Sequence, residues 1–489
     1  MMRTITLLLC ASLLCCSDDG TPPARDLTPA GDLGPDVADA AAPDGPAPDI
    51  SPVDSTAPDT TLPDLNPPDA GPPLPRGLKW VRQHPMFIAG LIPSMGAPDA
   101  AAVSDYLSGF KATAIHLWAD GLPTEMDAWR ALAPNAAWLS WVQPDGTSAK
   151  NGTLIGGYTA GLPGRVGYQI GDEPADMTKL KQMEAGLNAV RQADPDALLY
   201  VNFMTSSNVD QLLQYYGSFV DGDLVCYDSY TLSNKAYERM AKFRAHGLQY
   251  KRPYWRYLKA YLSSSSDALA ESDLRWDAFS GLTYGYTGHT WFLYQVGTAH
   301  NLTPALFSAA GSYTAQKTPL HAVAGQINTE LRNLGRAVTQ LTSTDVRYVS
   351  SVPLVQPAGT QAFGKGAGGD PFLVGVAAAP GELFLDILVG FFVDDFGEQY
   401  VMVQNVRHEH GDWPVDNAKP GTIRLTFDFG SAAGVDKTRL LGLNRLSGAV
   451  GDVPLTSLGG SQAQLDVTLD AGNPLLFKYA TSRSFVLGK

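Results

Sequence analysis

The stretch VGYQIGDEP, from Val166 to Pro174, decides how the rest of the chain is interpreted. It is an apolar run of strand length that ends in two acids, Asp172 and Glu173, before a proline. Such short apolar runs, rich in β-branched or aromatic residues, are typical of buried parallel strands. With seven similar runs around it, the sequence predicts eight strands, at residues 87–92, 112–118, 136–143, 166–172, 198–204, 223–228, 254–260 and 289–295.

Amphipathic stretches of helical length lie between most of these strands. They are residues 99–111, 123–133, 176–193, 208–219, 234–247, 267–279 and 317–341, while residues 144–165 have the composition of a long loop. Eight β-α units over about 260 residues match a (β/α)₈ TIM barrel in count and length. A doubly wound open sheet is the alternative, but the chain lacks the Gly-rich phosphate fingerprint that often accompanies it. We therefore expect an α/β fold with a TIM barrel over residues 77–342.

Beyond Leu341 the helical pattern stops, and short alternating segments follow. They are residues 372–377, 383–389, 400–406, 422–429, 464–469 and 474–479, and Asp395-Phe396-Gly397 has the composition of a hairpin turn. Several short strands with Gly-rich turns predict an antiparallel β-sandwich, here over residues 343–489. We expect it to pack against the barrel, and carbohydrate binding is its alternative role.

The first 16 residues have the composition of a targeting segment. Arg3 precedes an apolar run of about ten residues, which is too short to span a bilayer and suits a signal peptide. The run ends Leu13-Leu14-Cys15-Cys16, which resembles a bacterial lipobox and implies cleavage before Cys16 with lipidation of that residue. We predict a lipoprotein signal peptide at 1–16, with an ordinary secretory signal as the alternative. The expected location is the cell envelope, lipid-anchored to a bacterial membrane with the folded part on the extracytoplasmic side.

The negative charge of the chain is concentrated after this signal. Of a net charge of −14, residues 17–75 carry −11, from 12 Asp and one basic residue, Arg25. Fifteen of the 35 Pro residues also lie there, so we predict a disordered Pro/Asp-rich linker at 17–76. Subtracting this −11 and the +1 of Arg3 leaves −4 for residues 76–489, without the basic surface that nucleic-acid binding needs. We expect a monomer, with an oligomer left open.

Candidate functional residues follow from one rule of the barrel fold. Reactive groups lie at the C-terminal ends of the strands, which selects His116, Trp118, Asp120, Trp141, Gln143, Asp145, Gln169, Asp172, Glu173, Asn202, Asp228, Tyr230, Arg256, Tyr257, Lys259, Trp291, Tyr294 and Gln295. The set has no Cys/His cluster of metal spacing, no phosphate-binding loop and no Gly-x-Ser-x-Gly elbow. We therefore predict neither a metal nor a cofactor. Cys226 is the single cysteine of the folded part, and its apolar surroundings predict a buried thiol.

Acids together with aromatic side chains are suited to sugar chemistry. Glycoside cleavage uses one carboxylic acid to protonate the leaving oxygen and a second carboxylate to attack the anomeric carbon or to activate water. Aromatic faces stack on sugar rings, while amides and acids bind hydroxyl groups. The sequence therefore predicts an oligosaccharide or polysaccharide substrate.

The segment from Val166 to Pro174 also resembles the fourth strand of clan-A glycoside hydrolases, in particular β-galactosidase-like members of the family-42 type. In that family the motif Asn-Glu-Pro carries the general acid/base, and Gly-Asp-Glu-Pro is a variant. Tyr227-Asp228-Ser229-Tyr230 resembles their sixth-strand segment, and residues 274–294 resemble their seventh helix and eighth strand. The resemblance covers residues 80–341 and implies that Glu173 is the acid/base.

The chain departs from this family at strand 7. Clan-A enzymes carry a nucleophilic Glu at the end of that strand, whereas residues 253–261 read PYWRYLKAY and contain no acid. Three hypotheses follow. Glu173 acts as the acid with Asp228 as the second carboxylate, which we favour; or Asp172 is a nucleophile with Asp228 as the acid; or the barrel binds sugars without cleaving them.

Structural roles are the alternatives for several of these residues. Asp228 could cap the next helix, Arg256 could be an ion-pair partner, and an inward Lys259 would neutralise Asp228 or Glu173. Regular strand geometry points Asp172 and Glu173 to opposite sides, so we do not expect them to act as a pair. The predicted substrate-binding residues are His116, Trp118, Trp141, Gln169, Asn202, Tyr230, Lys259, Trp291, Tyr294 and Gln295.

Overall fold

The computed structural model of the protein confirms the TIM barrel predicted from the sequence. Eight parallel strands close in the order β1-β2-β3-β4-β5-β6-β7-β9, and β9 pairs with β1 to complete the barrel. The strands are β1 (Phe87–Ile92), β2 (Ala114–Leu117), β3 (Ala137–Val142), β4 (Arg165–Asp172), β5 (Leu198–Met204), β6 (Val225–Asp228), β7 (Tyr254–Lys259) and β9 (Gly288–Phe292). A short pair, β8 (Tyr261–Leu262) and β10 (Thr303–Pro304), lies outside the barrel sheet.

The structure describes residues 73–118, 123–263, 267–298, 302–350, 356–382, 385–410, 418–430 and 433–489. These residues fall within one compact unit, Ala70–Lys489. The predicted signal peptide at 1–16, the lipidation site Cys16 and most of the linker at 17–76 lie outside the described residues, as does Asp120. Within the described part of the chain, no helix is both long enough and apolar enough to cross a membrane.

Nine labelled α-helices accompany the described strands. They are α1 (Arg76–Gln83), α2 (Ala100–Ser104), α3 (Thr124–Leu132), α4 (Ile155–Thr159), α5 (Met177–Ala193), α6 (Val209–Phe219), α7 (Lys235–Gln249), α8 (Glu271–Tyr284) and α9 (Pro319–Val338). A π-helical turn, Asp105–Gly109, extends α2, and the short α4 lies in the predicted 144–165 loop. Helix α8 begins four residues later than predicted, because Asp267 instead accepts hydrogen bonds from Lys259 and the Ser263 N–H.

The barrel interior is filled from its N-terminal end by aromatic rings. Trp255 of β7 stacks on Phe87 of β1 at 4.5 Å and meets Trp80 of α1 edge-on at 5.9 Å. A cavity of about 760 Å³ opens at this end, between α1 and the starts of β2 to β4. The candidate acids lie at the opposite end, where TIM barrels carry their reactive groups.

Two antiparallel sheets follow the barrel, as predicted. The strands are β11 (Thr342–Val349), β12 (Leu373–Ala378), β13 (Ile387–Val393), β14 (Gln399–Asn405), β15 (Gly421–Asp428), β16 (Arg439–Leu443), β17 (Val450–Pro454), β18 (Thr456–Gly459), β19 (Gln462–Leu469) and β20 (Pro474–Tyr479). One sheet has the order β11-β13-β14-β20-β16-β17 and the other β12-β15-β19-β18. Apolar side chains of both, among them Val403 and Leu425, share one core.

Helix α8 forms the seam between the barrel and the six-stranded sheet. Every residue from Ser272 to Tyr284 is buried, so polar groups there need partners within the protein. The Thr283 hydroxyl donates to Gln404 Oε1 of β14 at 3.2 Å, and Arg275 pairs with Glu330 of α9 at 3.0 Å. These buried polar contacts fix the sheets against the barrel.

Candidate active site

A β-bulge at the end of β4 turns Asp172 into the barrel mouth. Gln169 lies opposite Tyr200 of β5, but Asp172 lies opposite Asn202, so three steps on β4 match two on β5. Gly171 absorbs the extra residue at φ +66°, a left-handed conformation that glycine adopts at little cost. The bulge therefore brings Gln169 and Asp172 to the same side of the strand although they are three positions apart.

Asp172 receives two amide hydrogen bonds on a single carboxyl oxygen. Gln169 Nε2 donates to Asp172 Oδ1 at 3.0 Å, and Asn202 Nδ2 donates to the same oxygen at 2.9 Å. A protonated carboxyl has one carbonyl oxygen that accepts and one hydroxyl that donates. The two amides make Oδ1 the accepting oxygen, so the proton of the neutral acid belongs on Oδ2.

The surroundings of Asp172 favour this neutral form. Burial raises the pKa of Asp172 to about 8, and the negative charge of Glu173 adds to the rise, while the bonds from Asn202 and Gln169 oppose it. A carboxyl with this pKa carries its proton at neutral pH. Asp172 therefore has the protonation state of a general acid and not that of a nucleophile.

Glu173 lies close to Asp172, contrary to the expectation from regular strand geometry. The bulge ends the regular alternation, and Glu173 itself takes a left-handed φ of +42°, which is unusual for a residue with a side chain. Its backbone N–H donates to the Asn202 carbonyl at 3.0 Å, which holds the strained turn in place. The two acids are thus electrostatic neighbours, and strain of this kind concentrates at functional sites.

Asp228 ends β6 on the other side of β5. It is paired with Met204, two positions further along β5 than the Asn202 that faces Asp172. The charges of Asp228 and Asp172 both raise the pKa of Tyr230 and of Cys226, as burial does first. The two acids therefore border one shared space at the mouth. Cys226 is buried there with a raised thiol pKa, which confirms the predicted buried thiol.

Lys259, at the end of β7, does not neutralise either predicted partner. Its ammonium pairs with Asp267 Oδ2 at 3.1 Å, and its backbone N–H donates to Asp277 Oδ2 at 2.9 Å. The expectation that it would pair with Asp228 or Glu173 was wrong, because Asp267 follows closely enough on the loop after β7 to reach it. Arg256 is confirmed as an ion-pair partner, since its guanidinium contacts the buried Asp277 of α8.

Aromatic side chains line the same mouth. Trp118 and Trp141 meet edge-on with ring centres 4.7 Å apart, and Trp118 lies 6.2 Å from Phe292. Phe292 in turn stacks on Tyr230 at 5.0 Å, and Tyr230 meets Tyr261 at 5.3 Å. Phe292 and Tyr261 were missed by the sequence interpretation, although each has the strand parity of a mouth residue.

The predicted binding residues around the eighth strand lie elsewhere. Trp291 Nε1 donates to Asn328 of α9 at 2.8 Å, and the Tyr294 hydroxyl donates to Asp105 at 2.7 Å, both on the outer side of the barrel. Gln295 is fully buried and donates to the Ser312 carbonyl at 2.8 Å. The structure thus places these three predicted binding residues away from the mouth. For Trp291 the reason is strand alternation, which turns Thr290 and Phe292 of β9 inward and Trp291 outward.

His116 lies deep in the barrel interior. It is fully buried, and its Nδ1 is 3.3 Å from the Thr290 hydroxyl. Burial lowers the pKa of His116 to about 3, so the ring is neutral at physiological pH. The structure therefore places it below the mouth, as part of the barrel packing. Groups of three or more His, Cys, Asp or Glu able to hold a metal are absent from the described residues.

Comparison with known proteins does not assign the chain to a family. No protein-family model matches the chain, and no curated protein matches it. Among solved structures it is similar to a β-galactosidase from the psychrophilic Marinomonas ef1 (10% identity, TM-score 0.41, covering 53% of this chain and 62% of that one). It is also similar to a GH30 endoxylanase from Clostridium papyrosolvens C71 (9%, TM-score 0.39, 82% and 98%) and to a thermostable mutant of xylanase Xyn10A from Cellvibrio japonicus (12%, TM-score 0.35, 52% and 99%).

These structural neighbours are glycoside hydrolases, and the chain spans 62% of the β-galactosidase that it matches.

Proposed function

We propose that the barrel is a glycoside hydrolase. The observation that carries this proposal is the state of Asp172: a carboxyl whose Oδ1 accepts two amide N–H groups and whose pKa is raised to about 8, beside Glu173 and across β5 from Asp228. One protonated carboxyl and a second carboxylate, bordered by aromatic rings, are the groups that glycoside cleavage requires.

Each acid then has a role. Asp172 Oδ2 donates its proton to the leaving glycosidic oxygen as the bond from that oxygen to the anomeric carbon breaks. Asp228 takes a proton from the water that attacks this carbon, or attacks the carbon itself. Glu173 remains the neighbouring negative charge that keeps the proton on Asp172. The structure thus favours Asp172 as the acid, a role that the sequence had assigned to Glu173.

The substrate in this proposal is an oligosaccharide or polysaccharide. The edge-on pair of Trp118 and Trp141 on one side, and the stacked Tyr230 and Phe292 on the other, offer apolar faces for sugar rings. Asn202 contributes to the same mouth through its amide nitrogen, which donates to Asp172 Oδ1 at 2.9 Å.

The test is hydrolysis of a panel of neutral, acidic and amino-sugar oligosaccharides. We expect wild-type protein to release reducing ends from at least one of them, and Asp172→Asn, Glu173→Gln and Asp228→Asn to lose most of that activity. Asp466→Asn, in an exposed pair with Arg424 on the four-stranded sheet, is the control and should retain it. Undiminished hydrolysis in all three mouth variants would refute the assignment of roles.

The second candidate is a surface carbohydrate-binding protein that does not cleave. The observation that favours it is the end of β7, where Lys259 and no acid stands at the position of the clan-A nucleophile. Calorimetric binding of an oligosaccharide by wild-type protein that releases no product over a long incubation would establish this function and exclude the first.

We further propose that the protein is exported and anchored by a lipid on Cys16. The sequence supports this through the apolar run at 5–14 and the lipobox-like Leu13-Leu14-Cys15-Cys16. Labelled palmitate should be incorporated into the full chain expressed in a bacterial host and not into Cys16→Ser. Equal labelling of both would contradict the anchor.

A further inference from the structure

Tyr257 of β7 reaches across the barrel interior to β4. Its side chain is 3% exposed, and its hydroxyl donates to Gln169 Oε1 at 2.6 Å. Strands β5 and β6 separate β7 from β4 in the barrel, so this bond crosses the interior and does not join neighbouring strands. Among the described residues it is the shortest hydrogen bond of the Gln169 side chain.

This bond restricts the amide of Gln169. A glutamine amide has an accepting oxygen on one side and a donating nitrogen on the other, and its partners decide which way it points. Tyr257 donates to the oxygen, with Tyr200 at a longer 3.4 Å, and the Gly171 carbonyl accepts from the nitrogen at 3.2 Å. The nitrogen is thereby aimed at the bulge and at Asp172 Oδ1.

We infer that Tyr257 is a positioning residue for the proton donor: through Gln169, and together with Asn202, it makes Asp172 accept on Oδ1 and carry its proton on Oδ2. The inference rests on the proposed role of Asp172. Tyr257 does not touch Asp172 through any hydrogen bond of the described residues, and it acts entirely through the amide between them.

Several titratable groups face Asp172, and most of them stay neutral over the pH range in which Asp172 titrates. The titratable groups that face it are Glu173 at the end of β4, Tyr200 of β5, Cys226 and Asp228 of β6, Tyr230 after β6, and Tyr257 of β7. Burial raises the pKa of the three phenols and of the Cys226 thiol well above their usual values. They stay neutral where Asp172 titrates, and the remaining groups that face it are the carboxyls of Glu173 and Asp228.

Removing the phenol hydroxyl should loosen this arrangement. In Tyr257→Phe, Gln169 Oε1 keeps only the Tyr200 hydroxyl at 3.4 Å, and the amide is no longer clamped against Asp172. The bond from Gln169 lowers the pKa of Asp172, so weakening it raises that pKa, by about one unit. Gln169→Leu, which removes the donor outright, should raise it at least as much.

The experiment is a pH titration of ¹³C-labelled aspartate carboxyls in the full chain, with Asp172 assigned by its absence in Asp172→Asn. The control is Tyr254→Phe, the same change on the same strand, whose hydroxyl donates to the Tyr284 carbonyl outside the barrel. We expect the Asp172 midpoint to rise by about one unit in Tyr257→Phe and to stay unchanged in Tyr254→Phe. Tyr257→Phe combined with Gln169→Leu should shift it no further than Gln169→Leu alone, because both act through one bond.

Two results would overturn the inference: an unchanged Asp172 midpoint in Tyr257→Phe, or equal shifts in Tyr257→Phe and Tyr254→Phe. Either result would leave the proposed function unaffected, because each is measured against a wild-type Asp172 that titrates near pH 8. A wild-type Asp172 that titrates in the usual range for aspartate would instead remove the proton donor. The readout needs no substrate, so the two failures are distinguishable.

Discussion

Two aspartates of this protein have opposite environments: Asp273 of α8 is fully buried, whereas Asp172 at the end of β4 is half-buried. At the seam, both oxygens of Asp273 are saturated: Oδ1 accepts from His408 Nδ1 at 3.0 Å and the His410 N–H at 2.9 Å, and Oδ2 from His410 Nδ1 at 2.5 Å and the Ala270 N–H at 2.8 Å. At the mouth, Asp172 has two donors on one oxygen and a negative neighbour, Glu173.

The two pKa values follow from this difference. Burial would raise the pKa of Asp273, but the four hydrogen bonds outweigh it and lower the pKa to about 2. Burial does raise the pKa of Asp172, to about 8, because its two bonds are too few to compensate. A fully satisfied carboxylate holds two parts of the protein together, whereas an incompletely satisfied carboxyl keeps a proton that it can give away.

The largest expected effect separates activity from stability at the mouth. Asp172→Asn should lower the rate of hydrolysis by about 1,000-fold, since it removes the proton donor. It should leave the free energy of unfolding unchanged or higher at pH 8, because an amide keeps an oxygen for the two donors and removes an unfavourable buried charge. Parallel kinetics and urea unfolding measure both. Retained activity in Asp172→Asn would contradict this expectation. So would a fall in the free energy of unfolding that accompanies the loss of activity.

The reverse separation is expected at the seam. In Asp273→Asn, the new NH₂ group faces two hydrogen-bond donors, and the negative charge that His408 and His410 face is lost. We expect this change to lower the free energy of unfolding by about 3 kcal/mol. Activity per folded molecule should be unchanged, because Asp273 lies on α8 and has no contact with the acids of the mouth. Unfolding and kinetics on the same preparations measure this, and Asp466→Asn on the exposed sheet face is the control. Wild-type stability of Asp273→Asn would contradict the account.

The pH dependence of stability should have opposite slopes from the two residues. Between about pH 2 and 4, the unfolded chain holds the proton of Asp273 and the folded protein does not, so stability rises with pH. Between about pH 4 and 8, the folded protein holds the proton of Asp172 and the unfolded chain does not, so stability falls with pH. Each slope is at most about 1.4 kcal/mol per pH unit.

Unfolding by urea across this pH range checks the slopes. Asp172→Asn should make the fall between pH 4 and 8 less steep than in the wild-type protein and leave the acid limb unchanged. Asp273→Asn should make only the acid limb less steep, to which Asp105 and Asp436 also contribute because their pKa values are lowered too. An undiminished fall in Asp172→Asn would show that another group, such as the buried Asp277 with its raised pKa, causes it.

The smallest expected effect lies within the seam itself. His408 is buried and stacks on Trp276 at 4.3 Å, whereas the side chain of His410 is 39% exposed. His408→Ala should therefore lower the free energy of unfolding by about 2 kcal/mol, and His410→Ala by under about 1 kcal/mol. Equal losses in the free energy of unfolding would mean that the exposed His410 stabilises the seam as much as the buried His408 does.

The architecture could be predicted from the sequence because it depends on periodicity. Runs of strand length alternate with amphipathic helices, and this pattern predicted all eight barrel strands and six of the sheet strands that follow. The exposed β17 and β18 escaped prediction because neither has an apolar face. Helix α8 is buried on all sides, so its start carries no amphipathic signal.

The site was less predictable because it departs from periodicity. Strand alternation was expected to separate Asp172 from Glu173, and the bulge at Gly171 defeats it. A glycine inside a strand pattern is the signal that could have revealed this bulge. At β9, counting strand parity from Thr290 would have chosen Phe292 over Trp291. The pairing of Lys259 with Asp267 depends on the path of a loop, which no local pattern encodes.

The central claim is that Asp172 holds a proton at neutral pH. Its most direct test is the titration of aspartate ¹³Cγ signals in the wild-type protein, with the Asp172 signal identified by its loss in Asp172→Asn. We expect this signal to titrate near pH 8. A titration of the same signal near pH 4 would contradict the proton on Asp172.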